Sequence, residues 1–266
     1  MALPSAQKRE LRRLLRAFRA AHGSAAIPSG AGKAMEAWVL MRLARTASIL
    51  PQWNVSLRRG DGTSLPPGSP FALPAGPSQI PGNNPRGPSF VLLERVGDPS
   101  FNLELRGSVQ WKGRSEAKHE LDISVIPASI SETIRMNGGG YPRGLPIVAI
   151  ECKDKTNNGN LDETRQTVAR LYDLALVTIP TTIGMPCRIF EDNTLTFWGR
   201  RSSRYLSFFK KGTFGIVRAG GFQSGTEALA DHYSIKRLGK AYDLLPNGLS
   251  KLERSFRQTL NAMNNF

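Results

Sequence analysis

The chain has 266 residues, with 36 Lys and Arg against 21 Asp and Glu, a formal net charge of +15 at pH 7. Its 40% hydrophobic and 21% charged residues exclude a wholly disordered chain and a highly charged coiled coil, and the length suffices for a substantial core. A positive surplus of this size attracts polyanions, nucleic acid first and acidic membrane surfaces second, without saying what is done to them.

Taken in chain order, the first predicted element is a helix from Ser5 to His22. Leu11, Leu14, Leu15 and Phe18 recur at helical spacing, and Arg12, Arg13, Arg16 and Arg19 fill the rest of its circumference. The start has no apolar core of a signal peptide. After a small-residue break, a second helix is expected from about Lys33 to Ser48, burying Met35, Trp38, Val39, Leu40 and Leu43, with Glu36 beside that face. Gly30-Ala31-Gly32-Lys33 echoes a phosphate-binding loop, but Ile27 and Ala34 stand where that motif needs Gly and Ser or Thr.

Strands are predicted at Trp53 to Leu57, Phe90 to Arg95, Phe101 to Trp111 and Glu120 to Ile126 from alternating β-branched and aromatic residues. Between the first two, Gly60 to Pro88 holds eight prolines and six glycines, which predicts a long irregular loop. Pro127 to Pro146 reads as a second irregular segment with a short helix near Ser129 to Met136. Leu145 to Lys153 is the strongest strand, a continuous apolar run suited to a covered sheet. Helical periodicity returns over Leu161 to Leu176. Short strands are expected at Cys187 to Phe190, Thr194 to Trp198 and Phe214 to Arg218, and helices at Ser224 to His232 and Gly248 to Met263. The alternation predicts an α/β fold, a central mixed sheet flanked by helices.

Two cysteines, Cys152 and Cys187, and three histidines cannot form a structural zinc site of the usual spacing. They suggest a reducing, cytoplasmic setting, and the lack of an 18-residue apolar run argues against a membrane span. The informative residues are acids. On a strand, side chains alternate faces, so Glu151 and Lys153 point together while Cys152 turns back into packing. Were the Asp122 strand adjacent, Asp122 and Glu151 would converge with Lys153 beside them. Two carboxylates a few Å apart repel, and oxygen donors without His or Cys select a hard cation, Mg²⁺ or Mn²⁺. Such an ion can activate water against a phosphodiester. His119 reads as an exposed loop residue.

Glu36 in an early helix, Asp122 on a strand, Glu151-x-Lys153 ending the next apolar strand and a following helix with Gln166 resemble the PD-(D/E)xK nuclease superfamily. The segment from Gly215 to Ala230, followed by Tyr233-Ser234-Ile235, is similar to the strand, Phe-containing turn and Ala-rich helix closing Mrr-type restriction domains. Leu121 stands where the family name places proline. The resemblance implies a restriction-endonuclease-like core over residues 25–240, with insertions at 60–88 and 127–146, a basic helix at 1–24 and a C-terminal helix at 241–266. It implies a Mg²⁺-dependent DNA endonuclease of restriction or genome defence, acting on double-stranded DNA, either as a homodimer or with a defence-complex partner. Asp122 and Glu151 would hold the metal, Lys153 serve the attacking water and Glu36 assist, while Gln166, Arg165 and Arg170 contact substrate. The basic segments Arg12 to Arg19, Arg200 to Lys211 and Lys236 to Lys240 would hold phosphates. A non-catalytic DNA-binding subunit, an RNA nuclease and a junction nuclease are the alternatives.

Overall fold

The structure, a computed structural model, describes residues 3–21, 32–174, 190–191, 196–197, 212–244 and 246–263. Helix α1 (Ser5–Ala17) buries Leu11, Leu14 and Leu15. It stops short of His22 because Arg19 turns left-handed at φ 60°. Helix α2 (Lys33–Ser48) begins after left-handed Gly32 and buries Met35, Trp38, Val39, Leu40 and Leu43, as the periodicity predicts. Glu36 is buried with them. Along α2, Arg42 pairs with Glu10 of α1 at 2.7 Å and with Glu253 of the last helix at 2.6 Å. Trp38 Nε1 donates to Glu10 at 2.8 Å. This network fixes the angle at which the helix crosses the sheet.

The strands follow as β1 (Trp53–Arg58), β2 (Ile80–Pro81), β3 (Phe90–Arg95), β4 (Leu103–Lys112) and β5 (Lys118–Pro127). After them come α3 (Ala128–Met136), β6 (Gly139–Gly140), β7 (Val148–Lys153) and α4 (Leu161–Leu174). Among the described residues, strands β8 (Phe190–Glu191) and β9 (Thr196–Phe197) pair only with each other. The chain closes with β10 (Thr213–Arg218), α5 (Thr226–His232), β11 (Ile235–Leu238) and α6 (Gly248–Ala262). Asn247 and Ser250 cap α6 reciprocally, each side chain accepting from the other residue's backbone N–H.

Seven strands form one mixed sheet in the order β1-β3-β4-β5-β7-β10-β11. Pairing is antiparallel from β1 to β7 and parallel from β7 through β10 to β11. Short loops make the β3–β4 and β4–β5 pairs antiparallel, the longer β1–β3 and β5–β7 connections also return antiparallel, and the crossovers containing α4 and α5 bring the chain back parallel. Residues of α1 and α6 belong to the same buried cluster as the sheet and α2, so both terminal helices complete one core. The predicted strands at Cys187 to Phe190 and Thr194 to Trp198 and the basic stretch Arg200 to Lys211 fall largely or wholly outside the described residues.

The expectation that Gly60 to Pro88 only loops is corrected in one respect. Strand β2 lies within it, and Phe71 and Ile80 are buried. Ile80 pairs with Gly140 and Pro81 with Gly139, so the two irregular segments hold each other. They also occupy the edge of β4 beyond its short pairing with β3. Ser78 bridges to Val109, and the Lys112 N–H donates to Pro142 O at 2.9 Å. Gly139 has φ 96°, and a Cβ there would lie 2.7 Å from the Gly82 nitrogen and 2.8 Å from Ile80 O. Gly138 is also left-handed, yet nothing lies within 4 Å of its Cβ position. Gly138→Ala is therefore expected to cost about 1–2 kcal/mol from backbone conformation alone, and Gly139→Ala clearly more. Urea unfolding of the two variants checks this; equal losses would show that the β2–β6 approach relaxes freely.

Candidate active site at the parting of two strands

Strands β5 and β7 pair through Val125↔Val148, Ser124↔Ala149 and Ile123↔Ile150, where the ladder ends. The next residue on each strand is Asp122 and Glu151, so the two acids stand in register where the strands part. On its other side β7 remains paired with β10 through Arg218↔Lys153. The Asp122 side chain replaces the lost ladder, accepting from the Cys152 backbone N–H at 2.6 Å. A backbone donor freed by the divergence is thereby satisfied.

Glu151 is 3% exposed, and a carboxylate so buried requires counter-charge. It accepts from Lys153 Nζ at 3.0 Å on Oε2 and from Arg170 Nη1 at 2.9 Å on Oε1. Arg170 comes from α4 and also reaches Glu120 O at 3.4 Å. Glu36 arrives from α2, where its Oε2 accepts from Ser108 Oγ at 2.8 Å and from Lys33 Nζ at 3.0 Å.

The charges perturb one another. Burial, then the nearby Glu151, then Glu36 push the Asp122 carboxyl up to about 8, against the pull of the Cys152 N–H and Lys153. Burial works against the Lys153 ammonium, but Glu151 and Asp122 outweigh it and its pKa lies above the ordinary value. Burial raises the Glu36 pKa despite Lys33. Burial and then Asp122 raise Cys152 well above a normal thiol, so it is a protonated packing residue, as its inward turn on the strand predicts.

The structure thus brings together Asp122, Glu151, Lys153 and Arg170, with Glu36 within electrostatic reach. Arg165 and Gln166 stay exposed on α4, Arg165 paired with Asp162 at 3.0 Å. Arg170 is half-buried and pairs with Glu151 at 2.9 Å, a contact that its expected part in substrate binding did not include. His119 is corrected too. It lies within β5 and meets Asp173 of α4 at 2.7 Å, which ties helix to strand.

Sequence reasoning overlooked Lys33, Ser108 and Arg218. Arg218 is fully buried, and its guanidinium bonds Glu163 and, at 2.5 Å, Asn157 O. That pins the loop leaving β7 against the end of β10. An arginine ending an otherwise apolar strand, TFGIVR, was the signal available for it.

Among the described residues, no three Asp, Glu, His or Cys side chains form a metal-ligand group. The donor chemistry of Asp122 and Glu151 nevertheless suits a hard divalent ion. Both are all-oxygen ligands, their mutual repulsion leaves a demand for positive charge, and each carboxylate oxygen bonded to a cation keeps a second lone pair. Among the described residues, no helix is long and apolar enough to cross a membrane. No protein family, characterised protein or solved structure matches the chain.

Proposed function

We propose that the chain is a metal-dependent nuclease with a restriction-endonuclease-like core of the PD-(D/E)xK type, hydrolysing phosphodiester bonds in double-stranded DNA. The observation that carries this reading is the meeting of Asp122, Glu151 and Lys153 where β5 and β7 part. The carboxyl end of a strand at a change of sheet direction is where open α/β sheets commonly place ligands. The net charge of +15 supplies attraction for the phosphate backbone, while the acids would repel it without a cation. Genome defence is the setting the resemblance implies, and a cytoplasmic location follows from it.

Asp122 and Glu151 would hold Mg²⁺, with Mn²⁺ as a substitute. When bound, the ion polarises a phosphodiester oxygen and lowers the pKa of water. Glu151 is oriented for this by Arg170, and Asp122 by the Cys152 N–H. Lys153 has a raised pKa and so is charged at rest. This favours its use in neutralising charge that builds on the phosphate over its use as a base. Glu36 adds negative charge behind Asp122. The exposed arginines of α1, Arg12, Arg13 and Arg16, with Arg19 just beyond its end, and Arg165 and Gln166 on α4 would meet backbone phosphates. Double-strand cutting from one site per chain calls for a homodimer or a partner, and light scattering on DNA distinguishes the two.

The test is incubation with supercoiled, linear, single-stranded and branched DNA and with RNA, in Mg²⁺, Mn²⁺ or chelator. Cutting that chelator abolishes is expected, and Lys153→Ala should lower it at least ~100-fold while retaining salt-sensitive DNA binding. DNA binding without cutting under every condition would favour a non-catalytic binding subunit. Preference for RNA or branched DNA would reassign the substrate.

A further inference from the structure

Lys33 and Glu120 have no part in the chemistry proposed above, yet they are built into its flank. The Lys33 ammonium lies 2.8 Å from Ser108 Oγ, 3.0 Å from Glu36 Oε2 and 3.2 Å from Glu120 Oε1. Its three N–H donors thus have three oxygen acceptors, two of them carboxylate. The contact is no solvated surface pair, because the Lys33, Glu36 and Glu120 side chains are 15%, 10% and 26% exposed.

This cage adjoins Asp122. Ser108 stands between Gly107↔Ile123 and Val109↔Leu121 in the β4–β5 register, opposite Asp122. Glu120 precedes Asp122 by two residues on the same strand, hence on the same face. Glu36 is close enough to raise the Asp122 pKa. Ser108 is also left-handed at φ 50°, a conformation that costs a non-glycine residue about 1–2 kcal/mol. It sets Oγ between Glu36 and Lys33, so the cage is assembled against a local backbone cost.

The geometry points to Lys33 as a built-in counter-cation: its ammonium fills, on the Glu36 side of Asp122, the oxygen cage that a second divalent ion would otherwise enter. The chain is therefore a one-ion device. The reasoning is that Glu36, Glu120 and Ser108 offer oxygen donors only, which suit a hard ion, and that a tethered cation holds the cage without a solution ion having to be bound. This inference rests on the metal reading of the Asp122–Glu151 site.

The test counts bound Mn²⁺ by the loss of the free-ion electron paramagnetic resonance signal, without DNA. The wild-type chain should bind one ion. Lys33→Ala, and Lys33→Met with an apolar stem, should bind two, with circular dichroism confirming the fold. Adding Glu120→Gln to Lys33→Ala should return the count to one, and Lys33→Arg should stay at one. Two ions in the wild type, or one in every folded variant, overturns the inference and leaves the parent site intact. No ion in the wild type overturns the parent reading, and this one with it. The wild-type count bears on the proposal even where a Lys33 variant fails to fold.

Discussion

Asp122→Asn is expected to be more stable than the wild-type chain in chelator at pH 8, and inactive in Mg²⁺. The folded carboxyl is held up at about 8 by burial, Glu151 and Glu36, whereas in the unfolded chain it titrates near 3.8. Between those values the folded state keeps a proton that the unfolded chain releases. Stability contributed by this group therefore falls as pH rises from about 4 to about 8, and above that range the penalty is complete. Asparagine removes the charge while its carbonyl still accepts the Cys152 N–H. The expected gain at pH 8 is on the order of 2 to 5 kcal/mol, shrinking towards nothing near pH 4. Thermal and urea unfolding across this range measure it. Mg²⁺ should raise the wild-type melting temperature and leave that of Asp122→Asn nearly unmoved, since an ion bound only by the folded state stabilises it. A variant that melts lower than wild type at every pH would show that the carboxylates do not strain the fold. Asp122→Ala is a poorer probe of repulsion, because it also strips the Cys152 N–H of its acceptor.

The largest loss of stability is expected from Glu104→Ala, away from the proposed chemistry. The Glu104 carboxylate, 1% exposed, bonds Arg106 Nε at 2.7 Å and Arg135 Nη1 at 2.8 Å. Both guanidinium groups lie over the Phe90 ring, at 3.9 and 5.2 Å from its centre. Burial already pulls the Arg106 pKa down against the support of Glu104. Removing the carboxylate leaves two buried cations facing one another with no counter-charge, a change that costs about 3–5 kcal/mol. Arg135 belongs to α3, so the segment bearing β6 would loosen with it, and β2 along with that. Arg165→Ala is the control, since its exposed pair with Asp162 is worth about 0–1 kcal/mol. A loss below ~1 kcal/mol for Glu104→Ala, well under the expected range, would mean that water reaches the cluster and screens it.

These two carboxylates illustrate different uses of burial. Glu104 is neutralised within the fold by two arginines and serves to hold α3 on β4. Asp122 has a backbone donor and only a distant share of Lys153, which leaves unmet charge at a place where the strands open. On the proposed metal reading, the surplus of acid at Asp122 would give a cation a reason to bind, and the Lys33 cage would limit how many can.

Hydrophobic periodicity by itself determined most of the elements. Helices α2, α4 and α6, strands β3, β5 and β7 and the buried faces of α1 and α2 follow from where Leu, Val, Ile and Trp recur, because burial of those side chains dominates folding. Glu151 and Lys153 on one face and Cys152 on the other follow from strand geometry alone. What the local pattern could not determine depends on pairings between distant segments. Only the tertiary structure decided that Ile80 of one proline-rich segment pairs with Gly140 of the other, since two-residue strands carry no periodicity. It also decided that β5 and β7 part at Ile123 and Ile150, leaving Asp122 to take a backbone N–H. The tertiary structure likewise decided that Arg170 pairs with Glu151 and that His119, expected in a loop, meets Asp173, since both contacts join α4 to strands 19 and 54 residues away in sequence. Lys33 was hidden for the same reason: its partners are 3, 75 and 87 residues away, and a left-handed Ser108 had to bring them together.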